Sequence, residues 1–156
     1  MKMVKQEPES KQCGACVVAM LTDRTREEIL AACPDYAAMA DCDWLNFLGR
    51  LGYVLQDPRD DPGFDKSKTC GEMVFNGHFN LPRGHRYYCT IKVPKDAHAV
   101  AIDENGMVFD PSTSAPMTGT CTLEQYVRHN YETLGEARIV GCRRVVRLKH
   151  SIQSHA

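Results

Sequence analysis

Three side chains that cooperate in thiol chemistry occur along the chain in the order Cys13, His98 and Asp110. Cys13 immediately precedes a run of apolar residues, Ala15 to Leu21, that predicts a buried helix. The first turn of a helix carries unpaired N–H groups and the positive end of the helix dipole, so it stabilises a thiolate. A cysteine in this position is therefore a candidate nucleophile.

The histidine and the aspartate lie at the two ends of a predicted β-hairpin. His98 begins one short apolar run, Asp110 follows the next, and Asn105-Gly106 forms a turn between them. Because a hairpin brings its ends together, we expect the imidazole and the carboxylate to be neighbours. A thiol nucleophile, a histidine base and a group that orients the base are the components of acyl transfer.

These residues resemble the papain-like cysteine peptidases, and within them the bacteriocin-processing (double-glycine leader) peptidases and their free-standing relatives. The resemblance covers roughly the first two thirds of the chain, and the last strand pattern also looks like that of the family. The matching features follow the family's order: Gln6, the block from Cys13 to Met20, the block from His98 to Ile102, and Asp110-Pro111.

The resemblance implies a role for each matched side chain. Cys13 would be the nucleophile, His98 the base and Asp110 the orienter of the base. Gln6 would donate a hydrogen bond to the oxyanion. Gln12 precedes the nucleophile where the family usually has an acidic residue, and it is a competing oxyanion donor. The implied activity is hydrolysis of a peptide, isopeptide or related amide bond through a Cys-His-Asp triad.

The elements that must position these residues change in character along the chain. Helical patterns come first: after the helix at Cys13, Thr25 with Glu28 predicts a capping box, and apolar spacing from Trp44 predicts a third helix. Strand patterns dominate from residue 82 onward, interrupted by a short helix that begins near Thr122. The predicted class is α+β. The resemblance implies a papain-like fold, with N-terminal helices packed on a C-terminal antiparallel sheet.

Some segments have little apolar periodicity. Residues 1–11 are polar and predict an extended lead-in, and residues 149–156 predict a frayed tail. Residues 56–68 are rich in Asp, Pro and Lys and predict a mobile surface loop, whose acidic residues are candidates to meet a basic part of a substrate. Periodicity does not assign residues 69–81 to a helix or a strand.

Length and charge limit the class of protein. The 156 residues are 43% hydrophobic, which fits a single domain over residues 1–156. With a net charge of −1, the chain lacks the excess of positive charge that is typical of nucleic-acid-binding proteins. No apolar run is long enough to span a membrane. The start of the chain lacks a secretory signal, so we expect a cytoplasmic protein. The expected partner is a peptide or protein substrate.

The eight cysteines allow other interpretations. Cys13 and Cys16 form a Cys-x-x-Cys motif, which predicts a dithiol oxidoreductase if it follows a strand. A catalytically silent binding or inhibitory protein on the same fold is the other alternative. We expect no metal, because Cys70, His78 and His85 lack the spacing of a zinc site, and no cofactor. We expect the remaining cysteines to be small buried hydrophobes: Cys33, Cys42, Cys70, Cys89, Cys121 and Cys142.

The remaining histidines carry no matched partners in the sequence. We expect them to be surface or structural residues, with the first two as fallback bases: His78, His85, His129, His150 and His155.

Overall fold

The computed structural model of the chain describes residues 1–55, 67–76, 81–112 and 118–148. Within these ranges, helices and an antiparallel sheet confirm the predicted α+β class. Most of the predicted loop and all of the predicted frayed tail lie outside the described residues, and so do His78, His150 and His155. No helix in the described ranges is long and apolar enough to cross a membrane.

The helices begin where the sequence supplies capping groups. Thr25 and Thr122 each form the predicted capping box with the residue three positions later. Thr69 and Glu72 exchange the same hydrogen bonds, so the unassigned segment after residue 69 begins as a helix. The α-helices of the described ranges are α1 (Cys13–Thr22), α2 (Arg26–Ala32), α3 (Asp41–Arg50), α4 (Cys70–Asn76), α5 (Leu123–His129) and α6 (Tyr131–Leu134), with a short 3-10 helix at Tyr36–Ala38.

The described strands form one antiparallel sheet of five strands, in the order β1-β5-β2-β3-β4. The predicted hairpin is present, because Ala101 pairs with Phe109. Its turn requires Gly106, whose φ of 78° is strained for residues with a side chain. The strands are β1 (Tyr53–Leu55), β2 (Arg86–Val93), β3 (Asp96–Ile102), β4 (Val108–Phe109) and β5 (Arg138–Arg147).

Hydrophobic clusters cover both faces of the sheet. Successive residues of β2 belong to different clusters: Tyr88 packs with residues of α1, α2 and α3, whereas Tyr87 packs with residues of α4, α5 and α6. This alternation follows from the period of two in a strand. The N-terminal helices therefore cover one face, and the later helices cover the other.

The C-terminal end of α1 is fixed to the sheet by Arg86 of β2. Its guanidinium donates to the backbone oxygens of Met20 (3.3 Å) and Leu21 (3.1 Å), and it forms ion pairs with Asp23 and Glu104. Terminal carbonyl groups of a helix lack partners within the helix, and a cation satisfies them. The anchored end fixes the position of the opposite end, where Cys13 lies.

The lead-in packs more closely than its polar sequence predicts. It forms no helix or strand, as expected, but Met1, Met3 and Val4 pack against the cluster around α1. The expectation that the six scattered cysteines are buried is confirmed for five of them and is wrong for Cys42. Cys42 is the second residue of α3 and is exposed.

Candidate active site

The structure brings the predicted Cys13, His98 and Asp110 together. Nε2 of His98 lies 2.6 Å from Oδ1 of Asp110, which is a short hydrogen bond. The thiol of Cys13 also acts on this imidazole, because hydrogen bonding with Cys13 contributes to the raised pKa of His98. The imidazole therefore connects the sulfur to the carboxylate.

The environment of His98 favours its protonated form. Burial alone would lower the pKa of the imidazole, but hydrogen bonds to Asp110 and Cys13 and the charges of both groups outweigh burial and raise the pKa to about 10. An imidazolium beside the sulfur stabilises a thiolate. His98 is thus held as an imidazolium at neutral pH.

Asp110 is buried, with 4% of its surface exposed, and both carboxylate oxygens accept hydrogen bonds. Oδ1 accepts from the backbone N–H of Ser112 (2.8 Å) as well as facing His98, and Oδ2 accepts from the Tyr126 hydroxyl (2.5 Å). Burial raises the pKa of Asp110, but His98, Tyr126 and Ser112 outweigh burial and lower it. The carboxylate is therefore ionised and fixed in orientation.

Tyr126 is a residue of the site that the sequence analysis missed. It lies on α5, whose capping box fixes the helix start, and it is 6% exposed. Burial and the negative charge of Asp110 raise the pKa of Tyr126, so its hydroxyl keeps its proton and donates to the carboxylate. The only available signal was a tyrosine on the apolar side of a capped helix, which does not identify its partner.

The backbone around Asp110 is held by residues from distant parts of the chain. Nζ of Lys5 donates to the backbone oxygens of Asp110 (3.1 Å) and Ser112 (2.8 Å). The backbone N–H of Gln6 donates to the oxygen of Pro111 (2.9 Å). The lead-in is thereby tied directly to the segment that carries the aspartate.

Gly14 allows α1 to lie close to α3. A Cβ atom at Gly14 would lie 2.2 Å from Nε1 of Trp44, which is 3% exposed and confined by its neighbours. Gly14 itself is buried under the indole. Its function in the structure is to allow this close packing beside the nucleophile.

Both candidate oxyanion donors lie close to the start of α1. Nε2 of Gln6 donates to the backbone oxygen of Ser10 (3.2 Å), and Oε1 of Gln6 is buried without a hydrogen-bond partner. Gln12 is 3% exposed, and its Oε1 accepts from the N–H of Glu7 (3.0 Å). No acceptor for the amide N–H groups of Gln12 occurs in the described ranges, so these donors remain available.

The other candidate ligands and bases are placed elsewhere. His85 stacks edge to face against Tyr87, and His129 ends α5. Within the described ranges, no three side chains of His, Cys, Asp or Glu are placed to hold a metal ion. Cys16 is fully buried on α1, and the residues that precede Cys13 form no strand, unlike the arrangement that the redox interpretation required.

Comparison with known proteins gives no match: no family model fits the sequence, and neither a curated protein nor a solved structure is significantly similar to the chain.

Proposed function

We propose that this protein is a thiol hydrolase of the papain-like class that cleaves a peptide, isopeptide or related amide bond. The observation that carries the proposal is the hydrogen bond between His98 and Asp110, together with the effect of the Cys13 thiol on the same imidazole. This is the geometry that general acid–base and nucleophilic catalysis require of neighbouring side chains. The expected partner is a peptide or protein substrate, and a cytoplasmic location stays a prediction.

In the first half of the reaction, the thiolate of Cys13 attacks the carbonyl carbon of the scissile bond. The electron pair of the carbonyl moves to its oxygen, which becomes an oxyanion. As the intermediate collapses, the C–N bond breaks and protonated His98 gives its proton to the departing amine. The products are a thioester on Cys13 and a neutral imidazole.

In the second half, neutral His98 takes a proton from water. The resulting hydroxide attacks the thioester, and the C–S bond breaks to return the thiolate and the imidazolium. Asp110 remains ionised throughout and stabilises the charge on the ring. The carboxyl product leaves, and the ion pair is restored for the next cycle.

The oxyanion needs hydrogen-bond donors that are fixed before the reaction. The backbone N–H of Cys13 lies at the start of α1, where helix N–H groups have no partners within the helix. Within the described ranges, the side-chain N–H groups of Gln12 have no acceptor, whereas Gln6 already donates to Ser10. These hydrogen bonds favour Gln12 over Gln6 as the second donor, against the assignment that the family resemblance implies.

Competitive alkylation tests the proposal. Limiting iodoacetamide at neutral pH should modify Cys13 faster than Cys42, although Cys42 is the more exposed of the two. Exposure alone favours Cys42, so preference for Cys13 requires activation of its sulfur. Mass spectrometry of tryptic peptides measures the modification of each cysteine in the same sample, which makes Cys42 an internal reference.

His98→Ala is the variant that connects this reactivity to the site. It should reduce modification of Cys13 to the rate of Cys42 or below, with circular dichroism unchanged. Preferential labelling of Cys42 in the unaltered protein would overturn the proposal. Fast labelling of Cys13 that persists in His98→Ala would remove His98 from the mechanism.

A further inference from the structure

A second thiol lies beside the nucleophile and takes no part in the proposed hydrolysis. Cys16 is on α1, three residues after Cys13, and both are thiols in this structure. Residues three apart on a helix have Cβ atoms about 5–6 Å apart.

The two thiols have opposite environments. Cys13 is partly exposed at the first position of α1, whereas Cys16 has no exposed surface. Burial raises the pKa of Cys16 to about 12, although the positive charge of Arg26 partly opposes it. A solvent oxidant therefore meets Cys13 first, and Cys16 is kept as a protonated thiol next to it.

The start of α1 permits the small movement that a bond between them requires. A disulfide needs Cβ atoms at roughly 3.5–4.5 Å, which is slightly closer than the helical spacing. The first hydrogen bond of this region runs from the N–H of Cys16 to the oxygen of Gln12 (2.9 Å), so the helical ladder does not restrain the N–H of Cys13. The amide side of Cys13 is thus less restrained than the rest of α1.

We propose that Cys13 and Cys16 form a reversible regulatory disulfide, in which peroxide oxidises the nucleophile and the buried thiol then captures it. The proposal rests on the proposed function, because the thiolate that attacks a carbonyl is also the group that peroxide oxidises. The disulfide removes the nucleophile and protects it from irreversible oxidation. A dithiol reductant restores activity.

The chemistry takes place in two steps. The thiolate of Cys13 attacks one oxygen of hydrogen peroxide, an S–O bond forms, and the O–O bond breaks to release hydroxide, which becomes water on protonation. Cys16 then attacks the sulfenic sulfur: an S–S bond forms, the S–O bond breaks, and the leaving hydroxide takes the proton of Cys16 as water. Two thiols are oxidised and one peroxide is reduced to two waters.

The sequence supplies a direct readout. Trypsin cleaves after Lys11 and after Arg24, so both sulfurs fall in one peptide that contains no other cysteine. Treatment of the full chain with a small excess of hydrogen peroxide should remove two hydrogens from this peptide and abolish alkylation of Cys13. Dithiothreitol should restore both the mass and the alkylation.

Two variants separate this disulfide from other oxidation products. Cys16→Ala should instead accumulate sulfenic acid on Cys13, which dimedone traps in part, and then sulfinic acid. As sulfinic acid accumulates, dithiothreitol should restore less and less of the Cys13 alkylation. Cys42→Ala is the matched control and should behave like the parent. The disulfide is detected from the peptide mass of the unaltered protein. The test therefore remains valid even if Cys16→Ala fails to fold.

The outcomes distinguish the two proposals. Rapid alkylation of Cys13 together with sulfinic acid and no loss of two hydrogens would overturn the disulfide and leave the hydrolase intact. A disulfide from Cys13 to Cys42, or between two chains, would also overturn it. Slow alkylation of Cys13 with a Cys13–Cys16 disulfide would instead support the thiol pair and contradict the hydrolase.

Discussion

The hydroxyl of Tyr126 lies 2.5 Å from Oδ2 of Asp110, the carboxylate oxygen that His98 does not use. The two side chains that bond to the carboxylate come from different elements, α5 and β3, of which β3 precedes Asp110 and α5 follows it in the sequence. Hydrogen bonds to both oxygens therefore fix the orientation of the Asp110 carboxylate toward His98.

Removal of this hydroxyl should affect Asp110 directly. In Tyr126→Phe, the carboxylate loses a donor, so its pKa should rise and the acid limb of Cys13 alkylation should move to higher pH. A hydrogen bond to a charged group contributes about 1.5–3 kcal/mol, and the free energy of unfolding should fall by a similar amount. Alkylation rates from pH 3 to 8 and urea unfolding measure the two effects.

Tyr36→Phe is the matched control, because the Tyr36 hydroxyl makes no hydrogen bond within the described ranges and should leave both quantities unchanged. An unchanged acid limb in Tyr126→Phe would show that this tyrosine serves packing alone.

Substitutions of Asp110 should separate orientation from charge. Asp110→Asn keeps an oxygen that can accept from His98 and Ser112, so turnover should fall less than in Asp110→Ala, which loses both the acceptor and the charge. Both variants should lower the pKa of His98, because each removes the negative charge that raises it. Steady-state kinetics and NMR titration of the His98 ring provide the measurements. Equal losses in both variants would indicate that charge, not orientation, is the contribution of Asp110.

The ion pair at His98 predicts the direction of a pH effect on stability. The folded pKa of about 10 exceeds the unfolded value of 6.5, so the protonated ring stabilises the fold fully below about pH 6.5. This contribution decreases as pH rises through the folded pKa. The parent should therefore lose more stability than His98→Gln between pH 6 and 10, as measured by thermal unfolding. Parallel pH curves for the two proteins would contradict the raised pKa.

The contact between Gly14 and Trp44 predicts a local packing defect. Gly14→Ala places a methyl group where the indole lies, and such overpacking costs about 1–3 kcal/mol. Gly49→Ala is the control. Gly49 also lies in a helix, and a Cβ atom there would have no atom within 4 Å. That variant should be neutral or stabilising by about 0.4–1 kcal/mol. Urea unfolding of both proteins tests the difference, and equal stabilities would contradict the close packing.

Local signals in the sequence were sufficient for much of the site. The apolar run predicted α1, and the Asn105-Gly106 turn predicted the hairpin that joins His98 to Asp110. Each of these features is encoded within a few residues. The capping boxes at Thr25 and Thr122 were predictable for the same reason, because a cap involves groups only three positions apart.

The supporting contacts were not predictable, because they join residues far apart in sequence. Lys5 reaches Asp110 across 105 positions, and Tyr126 reaches it across 16. Neither side chain has a local pattern that names its partner. The role of Gly14 was missed for a related reason, since only the packing of α3 shows why a side chain there is excluded. The exposure of Cys42 likewise depends on which side of α3 faces the core.

Cleavage of a peptide library is the measurement that tests the hydrolase most directly. The unaltered protein, Cys13→Ala and His98→Ala are incubated with a proteome-derived peptide mixture at neutral pH, and mass spectrometry detects new peptide termini. We predict new termini only with the unaltered protein, around a shared sequence preference, while both variants retain their circular dichroism. Equal cleavage by Cys13→Ala would contradict the account. The account would also be contradicted if the unaltered protein produced no new termini while Cys13 was rapidly alkylated. That result is the behaviour of a binding protein without turnover.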